Sequence, residues 1–414
     1  MQLPTRPLTL ALAATVLASL PASSAPSQAP QTQVWIDVAT HTMAGMPDLG
    51  FMGGLASRMA GKDGAPRLYP QSRGVPGMPG RLLDIAMLNQ RQPGTPASQL
   101  IPAGMDMGDA LPLLPPEVPP SKSESVPGKE EDVEVTIRQY WGCGDQVRPG
   151  QPKQITIKAS QGQVQTQGEL AKSLFVPDRD VHEDARYALW PNQRNRARVS
   201  ERSSLVGQHR ITGAGVPESL QFQLDRNADF MPKLMLEARG SLADSIQLQW
   251  PAVERARGYF LFASGAQDPR TLVMWSSAEV PGAGPELLDY LGGGNIERWL
   301  AQKVLLPTTT TRCAIPQGIF KSQGGQRDRT GVASLSMIAY GPETNLVWPP
   351  KPADPKLPWH PEWNVRVRTK STSTAMLGMD LTDASSTETP EADAPPKEEE
   401  SGTKKLLRGL LRKL

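Results

Sequence analysis

The chain is poor in the residues most often recruited to chemistry. It has two cysteines and four histidines in 414 residues, and aromatics make up only 5%. Two cysteines cannot by themselves build a thiolate zinc site. With so few histidines, no Ser/His/Asp trio can be argued from spacing, and no Gly-x-Ser-x-Gly elbow is present. The formal charge is only +2, so no global basic field points to nucleic acid. No zinc-finger, helix-turn-helix or RNP pattern appears either. The sequence also lacks the run of about 18 apolar residues that a membrane-spanning helix requires.

What is abundant is backbone punctuation. Forty-one prolines and 37 glycines argue for turns and linkers rather than long helices. The N-terminus, "MQLPTRPLTLALAATVLASLPASSAPSQA", carries Arg6, an apolar run from Leu8 to Leu20 and then small residues. That order predicts a secretory signal peptide. Pro26 disfavours cleavage after Ala25, so residues 1–24 are expected to be removed. The expected location is outside the cytoplasm, in the periplasm or cell envelope. In such a compartment Cys143 and Cys313 would form a disulfide closing a loop of about 170 residues, the alternative being two buried free thiols.

The pattern predicts a mainly β protein. After a leader at 25–32, residues 33–110 hold the alternating strands "VWIDVAT" and "RLLDIAMLNQ", expected to pair, around a Gly/Met-rich insertion. Residues 111–131 read as a Pro-rich linker. Residues 132–239 form a β-rich region in which 161–218 is polar and Arg-rich, with one helical turn expected near "VHEDARYAL". The most organised stretch follows: "SIQLQW", with Ile246, Leu248 and Trp250 on one face, then a turn, then "RGYFLFAS". Residues 284–307 have helical character. Residues 351–402 read as a Pro/Ser/Glu-rich disordered arm, and residues 403–414 as a short basic amphipathic helix.

Trp250 on one strand, Ala256, Gly258 and Tyr259 opening the next, and Tyr340 closing a late strand together resemble a fibronectin type III module over about residues 240–350. The resemblance covers roughly a quarter of the chain, and the helical stretch 284–307 departs from it. It implies an immunoglobulin-like β-sandwich in which Trp250 and Tyr259 are core pillars, and a role in binding or spacing rather than catalysis. The rest of the chain resembles exported proteins of proteobacteria.

Three groups of residues invite a functional reading. In "TKKLLRGLLRKL", Leu406, Leu407, Leu410, Leu411 and Leu414 share one helical face, while Lys404, Lys405, Arg408, Arg412 and Lys413 take the other. That design suits an anionic membrane surface or the apolar groove of a protein partner. The plainer alternative is loose pairing with the acidic run from Glu388 to Glu400. A second group is His41, Met43 and Met46, in a quarter of the chain that also holds Met52, Met59, Met78, Met87, Met105 and Met107. Thioether and imidazole ligands suit Cu(I), but methionine also fills irregular apolar gaps. The third is "PDRDVHEDARY", where Asp178, Asp180, His182, Glu183 and Asp184 crowd together. An enzyme site in 161–218 would draw on it, yet Arg186 stands where a His-Glu-x-x-His motif needs its second histidine. The leading expectation is a non-enzymatic envelope protein for binding or assembly, with no cofactor implied; copper binding and an enzyme are the rivals.

Overall fold

A computed structural model describes residues 29–45, 68–117, 133–160, 163–322, 333–354 and 356–378. The expected signal peptide at 1–24, most of the Gly/Met-rich insertion, most of the expected 111–131 linker and the whole of 403–414 lie outside these residues. The described chain is mainly β. It opens with β1 (Thr32–Met43), β2 (Gly80–Asn89), β3 (Ala97–Leu100) and β4 (Ala110–Leu113). Next come β5 (Val133–Trp141), β6 (Lys153–Ser160), β7 (Gln163–Glu169), β8 (Tyr187–Trp190), β9 (Gly207–Gly213) and β10 (Gln221–Leu224). The last third adds β11 (Glu237–Arg239), β12 (Ile246–Gln249), β13 (Gly258–Asp268), β14 (Thr271–Ser276), helix α1 (Gly293–Ala301), β15 (Arg312–Ile315), β16 (Ala333–Trp348) and β17 (Trp363–Leu377).

Ten strands form one sheet in the order β7-β6-β5-β14-β13-β16-β17-β1-β2-β8. Two smaller sheets, β10-β9-β3-β4 and β11-β12-β15, lie on it. The first smaller sheet buries Leu111, Leu113, Ile211 and Phe222 against Val34, Ile36, Ile85, Val365 and Val367 of the large one. The second buries Ile246, Leu248 and Ile315 against Tyr259, Leu261, Val273, Leu335 and Met337. Strands β16 and β17 run through both layered halves: Val365 and Val367 serve the first core, Ala375 and Leu377 the second. On the opposite face, Phe260, Phe262 and Ile338 are covered by Leu287, Leu291, Ile296 and Trp299. Ile296 and Trp299 are three apart on α1, the spacing that gives a helix one buried face. Both faces of β13 are therefore apolar, as the sequence "GYFLFA" requires.

Between the two cores the sheet is polar yet enclosed. Thr40 Oγ1 donates to the Met231 carbonyl at 2.8 Å and Thr42 Oγ1 to that of Leu234 at 2.6 Å. Thr369 Oγ1 donates to the Pro342 carbonyl at 3.1 Å. The segment that crosses from β10 to β11 thus has backbone carbonyls satisfied by hydroxyls of the sheet, which removes the cost of burying both.

Several expectations are corrected. The arm expected to be disordered from 351 contains β17, a buried strand of 15 residues in the interior of the large sheet. Its Ser, Thr, Lys and Arg mimic a solvated tail, but Arg368, Thr369, Lys370 and Ser371 find partners distant in sequence, while Ser373 Oγ and Arg366 Nε have none. The linker expected from 111 begins instead as β4, with Leu111 and Leu113 buried. The polar region 161–218 supplies β7, β8 and β9 and no helical turn at 180–189. The boundaries drawn near 132 and 240 do not part the molecule, because strands from both sides of each share the ten-stranded sheet.

Candidate functional site

A groove of about 340 Å³ opens beside β8. Its walls are Leu68, Tyr69, Leu114, Pro115, Leu189 and Pro191, and its rim carries Glu117, Glu183, Asp184 and Arg194. Proline and leucine are placed here by the local backbone. Leu114 and Leu189 exchange N–H···O bonds of 3.1 and 2.8 Å, and the Tyr69 amide donates to the Pro191 carbonyl at 3.1 Å. The buried Asn192 side chain donates to the Pro112 and Leu189 carbonyls at 2.7 and 2.8 Å. Its Oδ1 accepts from the Asn195 amide at 3.0 Å, which locks the turn after Pro191. The walls are thereby held by hydrogen bonds on three sides, and the groove is pre-formed.

Beneath it, on the same face of the large sheet, lies an enclosed ionic network. Alternation along β17 puts Arg366, Arg368 and Lys370 on one face, opposite Asp37 of β1, which in turn faces Asp84 of β2. Arg368 binds Asp37 through two bonds of 2.7 and 2.6 Å and reaches Asp180 at 2.7 Å. Lys370 Nζ donates to Asp289 Oδ1 at 3.1 Å and to the Gly74 carbonyl at 2.9 Å. Both cations lie over the Tyr290 ring, at 4.5 and 4.3 Å from its centre. Asp84 accepts from the amides of Gln71 and Ser72, at 2.9 and 2.7 Å. Arg73 donates to the Tyr69 hydroxyl at 2.9 Å and to the Val181 carbonyl at 2.9 Å, joining the network to the groove wall.

Burial dominates the protonation of these groups. It pushes the Asp84 carboxyl up to about 7, with nearby Asp37 adding to the shift and the two amides opposing it. Burial also lowers the Lys370 ammonium, against the pull of Asp289. Asp289 moves below its usual range: burial acts to raise it, but Lys370 and the amides around it outweigh that. The network pins the straps at 69–77, 179–181 and 289–290 over the sheet. Arg368 and Lys370 are buried and paired with Asp37, Asp180 and Asp289, the last two partly exposed, and through Arg73 the network contacts the groove wall at Tyr69.

The sequence-singled residues scatter. His41 is buried in β1, its Nδ1 2.9 Å from Thr372 Oγ1, and burial beside Lys370 lowers its pKa to about 4. Met43 ends the same strand, and Met46 lies outside the described residues. Among the described residues no group of three or more His, Cys, Asp or Glu side chains is arranged to hold a metal. The cluster at 178–184 is divided: Asp180 turns inward to Arg368, Asp178 and His182 pair at 2.7 Å on the surface, and Asp184 is engaged by Arg186. Cys143 and Cys313 form a disulfide, with Cα atoms 5.1 Å apart, tying the loop after β5 to β15. Residues 403–414 lie outside the described residues. Sequence reasoning missed the network and the groove. The available signals were single acids inside otherwise apolar strands, Asp37 in "WIDVA" and Asp84 in "LLDIA", and basic residues at every second position of "RVRTK".

No protein-family model, curated protein or solved structure matches the chain. Among the described residues, no helix is long and apolar enough to cross a membrane.

Proposed function

We propose that this is an exported, non-enzymatic binding or assembly protein of the cell envelope, whose residues 240–350, together with the flanking strands β11 and β17, make a fibronectin type III-like sandwich and whose residues 403–414 dock on an anionic membrane surface or a protein partner. The observation that carries the reading is strand order. The small sheet β11-β12-β15 faces β14-β13-β16-β17, which is the three-on-four arrangement of such modules, in the same chain order. Trp250 meets the Tyr259 ring edge-on at 5.7 Å, and the Tyr259 hydroxyl accepts from the Val253 amide at 3.0 Å, so both act as core pillars. The segment between β14 and β15, with α1, is the insertion that departs from the pattern. The disulfide supports export, since such bonds persist in oxidising compartments. The pre-formed apolar groove supports binding as the activity.

The test is co-sedimentation of the mature protein, with and without residues 403–414, on anionic vesicles at two salt concentrations. The reading expects the full chain to pellet, salt to weaken it and truncation to abolish it. If neither form pellets, lipid docking is wrong and the segment becomes bait for a protein partner.

A further inference from the structure

The groove beside β8 is apolar in its walls and mainly acidic on its rim. Its lining suits a ligand with apolar side chains flanked by cations. One segment of this chain has that chemistry: residues 403–414, with five leucines on one helical face and Lys404, Lys405, Arg408, Arg412 and Lys413 beside them. We propose that the groove is the resting seat of this segment, so that the protein holds its own docking helix until a membrane or partner takes it. The proposal rests on the reading of 403–414 as an amphipathic docking helix.

Reach permits it. The described chain ends at Gly378, leaving residues 379–402 as the tether, which spans up to ~80 Å at about 3.3 Å per residue. Register locates the target. Leu189 pairs with Ala86, Ala86 with Trp35 and Trp35 with Arg366. The groove wall is therefore level with Arg366, about 36 Å back along β17 from Leu377 and about 15 Å across three strand spacings. The tether covers that path with length to spare.

Charge chooses between occupants. Glu117 and Glu183 are exposed on the rim; Asp184 beside them is already paired with Arg186, and Arg194 is a further cation there. Residues 46–67, which lead directly into Leu68, are also rich in apolar side chains but carry only Arg58, Lys62 and Arg67 against Asp48 and Asp63. The five cations of 403–414 make it the better complement. An intramolecular ligand also gains from its tether, which holds it at high effective concentration.

The test uses the full chain. Cys143 and Cys313 are bonded to each other, so introduced thiols are the reactive ones. A Gln193→Cys/Gly409→Cys protein places one thiol in the groove and one in the segment. A Gln167→Cys/Gly409→Cys protein, with its first thiol on exposed β7, reports random collision. With a short bis-maleimide, the groove pair should cross-link within one molecule roughly tenfold faster than the β7 pair. Adding Arg408→Glu and Arg412→Glu should return it to the β7 rate. Equal rates for the two pairs would overturn the proposal. So would a groove cross-link found only in dimers, or a Gln193→Cys/Met52→Cys protein that cross-links faster than the Gly409→Cys one. Vesicle binding by the full chain with no groove cross-link sinks the seat alone. Loss of both sinks the docking-helix reading as well.

Discussion

Asp84 is fully enclosed, faces Asp37 across the β1–β2 ladder and holds the amides of Gln71 and Ser72. Its carboxyl titrates at about 7 rather than at its ordinary 3.8. Between those values the unfolded chain has released a proton that the folded chain still holds. Stability from this group therefore falls as pH rises through that window, and the loss is complete above about pH 7. His41 works the other way. Its folded pKa is about 4 against an ordinary 6.5, so its contribution is lost as pH falls from 6.5 towards 4. Comparing the natural protein with Asp84→Asn cancels the histidine. Between pH 5 and pH 8 the natural protein should lose about 2–3 kcal/mol more than the variant, read from urea midpoints at each pH. Equal losses would show that Asp84 is not held protonated. None of this was legible in the sequence, where Asp84 is one acid in a strand. Its environment comes from strand pairing and from a strap that the sequence alone does not bring into contact.

At the scale of elements, β17 shows why a buried strand can pass for a tail. Val365 and Val367 alternate with Arg366 and Arg368, which is strand periodicity. The next residues, "TKSTST", abandon apolar character on both faces. They stay inside because hydroxyls and cations find partners: Thr369 at Pro342, Ser371 at Thr40, Lys370 at Asp289. The same logic holds for Thr42, which donates to the Leu234 carbonyl of the crossing segment. Thr42→Val keeps the volume and removes the donor. It should cost about 1–3 kcal/mol in a urea titration, the penalty for an unsatisfied buried carbonyl; an unchanged midpoint would mean that water replaces the hydroxyl. By contrast β12 and α1 were legible from apolar periodicity, and β13 from its continuous apolar run, which is buried on both faces. Strands β7 to β9 were not, because β7 is exposed along its length, β8 is a run of only four residues, and β9 is polar between its two buried residues. The groove escaped notice for a related reason: its walls come from three separate loops, each unremarkable by itself.

At the scale of the molecule, the disulfide joins the loop after β5 to the small sheet across a sequence separation of 170. By loop-closure entropy a cross-link over that span restrains the unfolded chain by about 5 kcal/mol at most. The Cys143→Ser/Cys313→Ser protein should therefore unfold at distinctly lower urea, with the shift largest under oxidising conditions and absent when both proteins are compared in reductant. The two layered halves share β16 and β17, so fluorescence and far-ultraviolet dichroism should report one coincident transition in either case; two separated transitions would show that the shared strands do not couple the halves. The pairing of β1 with β17 carries one more consequence. The first described strand finds its parallel neighbour some 330 residues later, and β17 itself bridges both cores. In a chain emerging end first, β1-β2-β8 and β7-β6-β5-β14-β13-β16 lack the strand that joins them until residues 363–377 are out. The joining of the two groups into one sheet is thus timed by the arrival of this one late strand.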